Sequence, residues 1–243
     1  MTLFITSSPY IDGADRAILD PRNEFVDRLR GCLPPNPRAL FVCANPEDHD
    51  GVCRFAAETA GAFVLAGISF SSYQVLSGRN TQDAARLVGD SDIVFLSGGH
   101  VPTQLRFLRT IRLDRILSSY HGVILGISAG SMNMAREVYI QPEETGESRP
   151  TFRRFAPGLG LAEVSILPHC QKARHYMLDG KRLYEDITFP DSMGKTFFAL
   201  PDGSYFYQDE HGLLLCGEAY RIRNGIMEML TVDGEVLDMD KLI

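Results

Sequence analysis

The chain has 243 residues, 44% hydrophobic and 23% charged, the balance of an ordinary globular protein. At this length one core is stable without disulfide or metal staples, so a single α/β domain over 1–243 is expected. Asp and Glu outnumber Lys and Arg by 31 to 24, a net charge of −7, which argues against nucleic acid or an anionic membrane surface as partner.

In chain order, Leu3–Thr6, Ala39–Cys43, Ile93–Leu96 and Val123–Ile127 are nearly continuous apolar runs. Such runs fit parallel strands covered on both faces. Between them, 23–33, 51–66, 81–88 and 102–117 have helical spacing. The last of these places Leu105, Leu108, Ile111 and Ile116 on one side and Arg106, Arg109 and Arg112 on the other, with Pro102 in the first turn. This alternation predicts a doubly wound, mostly parallel sheet flanked by helices, with ligands beyond the carboxyl ends of the strands. Residues 141–157 are polar and proline-bearing, a loop by composition. Val164–Pro168 is a further apolar strand. Beyond it, 197–200, 204–208, 213–216 and 221–229 carry turn pairs such as Asp202-Gly203, His211-Gly212 and Asn224-Gly225. They predict C-terminal antiparallel hairpins that extend the same sheet.

No run of 18 apolar residues occurs, and the opening MTLFITSSPYIDGADR lacks the basic region of a secretory leader. The five cysteines (Cys32, Cys43, Cys53, Cys170, Cys216) are odd in number and scattered, which fits reduced thiols in a cytoplasmic protein.

The sharpest chemical signal is Gly126-Ile127-Ser128-Ala129-Gly130, set between a predicted strand and a helix-like stretch. G-x-S-x-G in that context is a nucleophile elbow, which presents the serine hydroxyl on a strained turn. The N–H of Ala129 then becomes an oxyanion donor, and Gly98 or Gly99, in Ser97-Gly98-Gly99-His100, offers the second. A plain glycine turn before a helix is the bland alternative for each motif. For the base, His169 ends an apolar strand 41 residues after the serine. His100 is expected to line the pocket or touch substrate, and His175 to sit on the helix after His169. His49, in Glu47-Asp48-His49-Asp50, reads as the polar cap of the 51–66 helix rather than a metal ligand, and His121 and His211 as solvated turn residues. The third member of a triad is a carboxylate that fixes the imidazole tautomer. Asp202 follows an apolar strand that should end beside His169, and Glu163 and Glu144 compete with it.

The ordered set SGGH, GISAGS, LPH and LPDG resembles peptidase family S51, which includes dipeptidase E and cyanophycinase. The resemblance implies a fold like class I glutamine amidotransferases and a triad of Ser128, His169 and Asp202. It places the oxyanion hole at Gly98, Gly99 and Ala129. Glu163 in place of Asp202 would give the order of cyanophycinase, whose acid lies between serine and histidine. Dipeptidase E has asparagine where this chain has His100, and it reads an aspartyl group with an arginine downstream of its histidine. Arg174 and Arg182 are the candidates for that role here. The implied activity is serine peptidase cleavage of short peptides by a monomer or homodimer, without metal or cofactor. The alternatives are a non-hydrolytic small-ligand binder and an esterase or amidase. A glutamine amidotransferase is disfavoured, because its elbow carries cysteine.

Overall fold

The computed structural model describes residues 1–241. Along the first half run β1 (Thr2–Thr6), α1 (Phe25–Cys32), β2 (Arg38–Val42), α2 (His49–Leu65), β3 (Ser72–Leu76), α3 (Ala84–Gly89) and β4 (Ile93–Leu96). Then come α4 (Val101–Thr110), α5 (Leu113–Leu117), β5 (Val123–Ile127), α6 (Ala129–Met134), β6 (Glu137–Tyr139), β7 (Phe155–Pro157), β8 (Ile166–Leu167) and α7 (Cys170–Ala173). The remainder holds β9 (Met177–Leu178), β10 (Lys181–Arg182), α8 (Phe189–Asp191), β11 (Thr196–Ala199), β12 (Tyr205–Asp209), β13 (Gly212–Cys216), β14 (Ala219–Arg223), β15 (Ile226–Thr231) and β16 (Val236–Asp238).

The main sheet has eight strands in the order β3-β2-β4-β5-β1-β12-β13-β16. The first five are parallel, and the last three continue the sheet antiparallel. Side chains alternate across it as strand geometry requires. Leu3, Ile5, Leu40, Val42, Val94 and Ile124 enter one core. Phe4, Phe41, Phe95 and Leu125 enter the other, beneath Phe25 and Leu29 of α1 and Phe63 of α2. Phe63 meets Phe95 edge-to-face at 4.9 Å between ring centroids. Each such fully buried side chain contributes roughly 1.5–3 kcal/mol relative to exposure.

Register places the site. Thr6 lies opposite Ile127 and Leu96 opposite Gly126, so the carboxyl ends of β1, β4 and β5 open side by side. A second sheet, β15-β14-β11-β8, packs into the first core. There β8 runs parallel to β11, with Leu167 opposite Ala199. His169 and Asp202 therefore leave adjacent strand ends.

The doubly wound sheet stands as expected, with local corrections. The hairpins divide between two sheets, since β12 and β13 extend the main one while β11, β14 and β15 belong to the other. Strand β3, SYQVL, lies at the sheet's edge and buries only Leu76, so it lacks the apolar run that marked its neighbours. The 102–117 helix breaks where Arg112 adopts φ 52°, giving α4 and α5. The 141–157 loop ends in β7, which pairs with β6. The cap of α2 is Asp48, whose carboxylate accepts the Gly51 N–H at 3.0 Å, and His49 is the first helical residue.

Candidate active site

Ser128 stands between β5 and α6 at φ 50°, ψ −110°, a strained conformation for a residue with a side chain. It is held there because its N–H donates to the carbonyls of Ser7 (2.9 Å) and Thr6 (3.2 Å), while the Ser131 hydroxyl also donates to Thr6 O (2.8 Å). The flanking glycines are required by close approach. A Cβ on Gly130 would stand 2.0 Å from the Leu96 carbonyl oxygen, and one on Gly126 would stand 2.6 Å from Ser131 Oγ. The tight turn thus follows from packing α6 directly onto β4 and β5.

His169 caps α7 with its own backbone left-handed, φ 56°, which swings the ring over the elbow. Its Nε2 lies 2.9 Å from Ser128 Oγ and its Nδ1 2.7 Å from Asp202 Oδ1. The Asp202 side chain is only 5% exposed, whereas that of His169 is 39% exposed toward the cleft. Burial alone would raise the Asp202 carboxyl. The His169 hydrogen bond and charge, with donors from Ser7 and Gln171, outweigh it and hold the group below its ordinary value.

Two partners of this arrangement were missed in the sequence. Buried Ser7, just past β1, donates to Asp202 Oδ1 (2.8 Å) and accepts the His169 N–H (2.8 Å), so one hydroxyl ties Asp202 to His169. Gln171 donates to Asp202 Oδ2 (2.7 Å) and accepts the Asp202 N–H at 3.2 Å. The signal for Ser7 was its place at a strand's carboxyl end beside the elbow strand, visible once strand order is known.

The sequence matches the profile of peptidase family S51 over residues 3–214. The chain belongs to peptidase family S51. It is a serine-type peptidase, a hydrolase. Among solved structures it resembles a peptidase from an acI-B1 Actinobacterium, with 16% identity and TM-score 0.64 over 98% of this chain and 96% of that one. It also resembles a peptidase E-like protein from Listeria monocytogenes EGD-e, with 14% identity and TM-score 0.59 over 95% of this chain and 98% of that one. At these identities the likeness is one of fold. No curated protein sequence matches it.

In this S51 peptidase, Ser128 and His169 open into a cleft of about 540 Å³, walled by Gly99, Glu143, Pro168, Lys172, Tyr176 and others. Gly98 lies against the serine, since a Cβ there would sit 3.7 Å from Ser128 Cβ. Gly99 takes φ 148°, and a Cβ on it would strike Ala44. Ala129 opens α6, where a helix leaves its first N–H groups free of intrahelical partners. Another hollow, of about 520 Å³ and lined by Thr2, Tyr120 and Gly122, opens at the strands' amino ends, away from this chemistry.

The remaining candidates fall elsewhere. His100 bonds Thr103 Oγ1 (2.8 Å) and Glu147 Oε1 (2.9 Å), anchoring the 141–154 loop, and it lines a neighbouring hollow of about 460 Å³ that shares Gly98 and Gly99 with the site. Arg174 is exposed, 3.3 Å from His175 Nε2, and Arg182 is paired with Asp186 at 2.6 Å; neither lines the cleft. Glu163 is 73% exposed and paired with Arg136 on the surface. His121, His175 and His211 are exposed. His100, Glu144 and Glu147 bring ligand-type atoms within 4.8 Å of one another. The His100–Glu147 pair and the Glu143 and Glu144 N–H groups bound to Glu147 Oε2 already account for that cluster as a loop anchor.

Proposed function

We propose that this peptidase cleaves short peptides through an acyl-enzyme on Ser128, with His169 as base and Asp202 orienting it. His169 Nε2 takes the Ser128 proton as Oγ attacks the scissile carbonyl. The oxyanion is met by the N–H groups of Gly99 and Ala129. The imidazolium then protonates the leaving amine as the C–N bond breaks. Water, deprotonated by the same ring, releases the acid and restores the serine.

The carrying observation is the unbroken relay Ser128–His169–Asp202, at 2.9 and 2.7 Å. Its geometry suits proton transfer, and the buried acid fixes the ring's tautomer. The cleft volume supports a substrate of a few residues, within the roughly 300–1,000 Å³ of small-ligand sites. A fluorophosphonate probe should label Ser128, as read by mass spectrometry, and a dipeptide library should yield turnover that Ser128→Ala abolishes while the variant stays folded. Unlabelled Ser128, or a Ser128→Ala variant that still turns over, would refute the reading.

A further inference from the structure

We propose that Glu143 sets the specificity of the cleft, selecting peptides that carry a cation on the residue supplying the scissile carbonyl. This deepens, and rests on, the reading of Ser128 as the nucleophile of a peptide cleft. Glu143 lines the same cleft as Ser128 and His169. Among the described residues no donor is paired with its carboxylate, although its N–H is held by Glu147 Oε2 at 2.9 Å. Glu147 itself is engaged, by His100 and by two backbone N–H groups.

The cations nearby are also engaged. Lys172 is the one lysine or arginine lining the cleft, and it is held by Asp12 at 2.6 Å and lies 3.8 Å from Asp202. Arg174 and Arg182 stand outside the cleft. An acidic substrate group would have to compete with Asp12 for Lys172, and it would face Glu143. Of the charged groups lining the cleft, Glu143 is the one whose side chain has no partner among the described residues.

Pro142, Pro168, Ala173, Tyr176 and Leu183 give the cleft an apolar share of its wall. Glu143 is an exposed residue at the edge of the cleft, yet the protein packed around its carboxyl pushes it up to about 7, with His100 and His169 lowering it and Glu147 and Glu144 raising it. A carboxylate that faces the cleft without a partner gains a charge-assisted hydrogen bond from a cation brought to it. An ammonium or guanidinium supplies that bond. Its source is either the peptide's free α-amine or a basic side chain.

Binding to Ser128→Ala, measured by calorimetry, tests this without turnover. The probes are Lys-Ala, norleucyl-Ala, N-acetyl-Lys-Ala and N-acetyl-norleucyl-Ala, which together remove the side-chain cation, the α-amine, or both. Adding Glu143→Gln is expected to weaken Lys-Ala by at least about tenfold, while Glu143→Asp preserves part of its affinity. The singly altered probe that loses sensitivity to Glu143→Gln identifies which cation is read. The proposal is overturned if Lys-Ala ignores Glu143→Gln, or if the doubly altered probe is weakened as much as Lys-Ala. A wild-type protein that binds Lys-Ala through Glu143 but cleaves no peptide would instead refute the hydrolytic reading alone.

Discussion

Replacing Asp202 by Asn keeps the shape of the side chain but removes its charge and changes its hydrogen bonding. Asp202 accepts at both oxygens, from His169 and Ser7 at Oδ1 and from Gln171 at Oδ2. An asparagine has one oxygen, so its NH₂ must face a donor in either orientation. If the oxygen stays toward His169, the NH₂ meets Gln171 Nε2, and turning Gln171 over forfeits its bond from the residue-202 N–H. If the NH₂ faces His169 instead, Nδ1 must accept and the ring proton moves to Nε2, where the base can no longer take the serine's proton. The corresponding change in a serine-protease triad lowers kcat by about 10⁴. That is roughly 5.4 kcal/mol of barrier. Steady-state kinetics on a cleaved dipeptide should show this fall in kcat with little change in KM. Glu163→Gln should stay within about tenfold of wild type, because an exposed surface pair carries little energy. A crippled Glu163→Gln beside an active Asp202→Asn would show that Asp202 is not the orienting acid.

Ser7→Ala should lower kcat by about ten- to a hundredfold with KM nearly unchanged, since it strips one bond each from Asp202 and the His169 N–H, worth about 1–3 kcal/mol; an unchanged kcat would mean that Gln171 alone positions the acid. Gly130→Ala should destabilise the fold by about 3 kcal/mol, the upper end for overpacking, because the new Cβ meets the Leu96 carbonyl backbone. Denaturant midpoints check this, and a wild-type midpoint would contradict the close approach of α6 to β4. Glu143 has a folded pKa raised to about 7, so wild-type stability should fall as pH rises from about 4.5 through 7, where the unfolded chain ionises first. Glu143→Gln should therefore match wild type in acid and exceed it in Tm above pH 7, and parallel Tm profiles would show that the fold leaves that carboxyl unperturbed.

The elbow was legible because its chemistry is local. Two glycines two residues either side of a serine, at the end of the apolar stretch Val123–Ile127, describe a strand–turn–helix with no long-range information. His169 and Asp202 were legible for a related reason, as polar residues that each close an apolar strand. Sheet membership was not. Asp202-Gly203 carries the composition of a hairpin turn, and only distant pairing, β11 to β8 and β14, β12 to β1, makes it a passage between sheets. Ser7 was hidden for the same reason: its partners lie 162 and 195 residues away. Arg174 and Arg182 carry the charge that the family resemblance asks for, but side-chain direction decides their use, and both point to surface partners.

Ser128 hangs from the main sheet, His169 from the second, and Asp202 from the passage joining them. On the proposed mechanism, hydrolysis is competent only while the two sheets remain seated on one another, with Ser7 as the stitch between them. Sub-global opening costs less than complete unfolding. Lifting the smaller sheet separates base from nucleophile without melting the larger one. Heat inactivation should then run ahead of the loss of secondary structure, making catalysis the most sensitive gauge of whether the two halves of the core are docked.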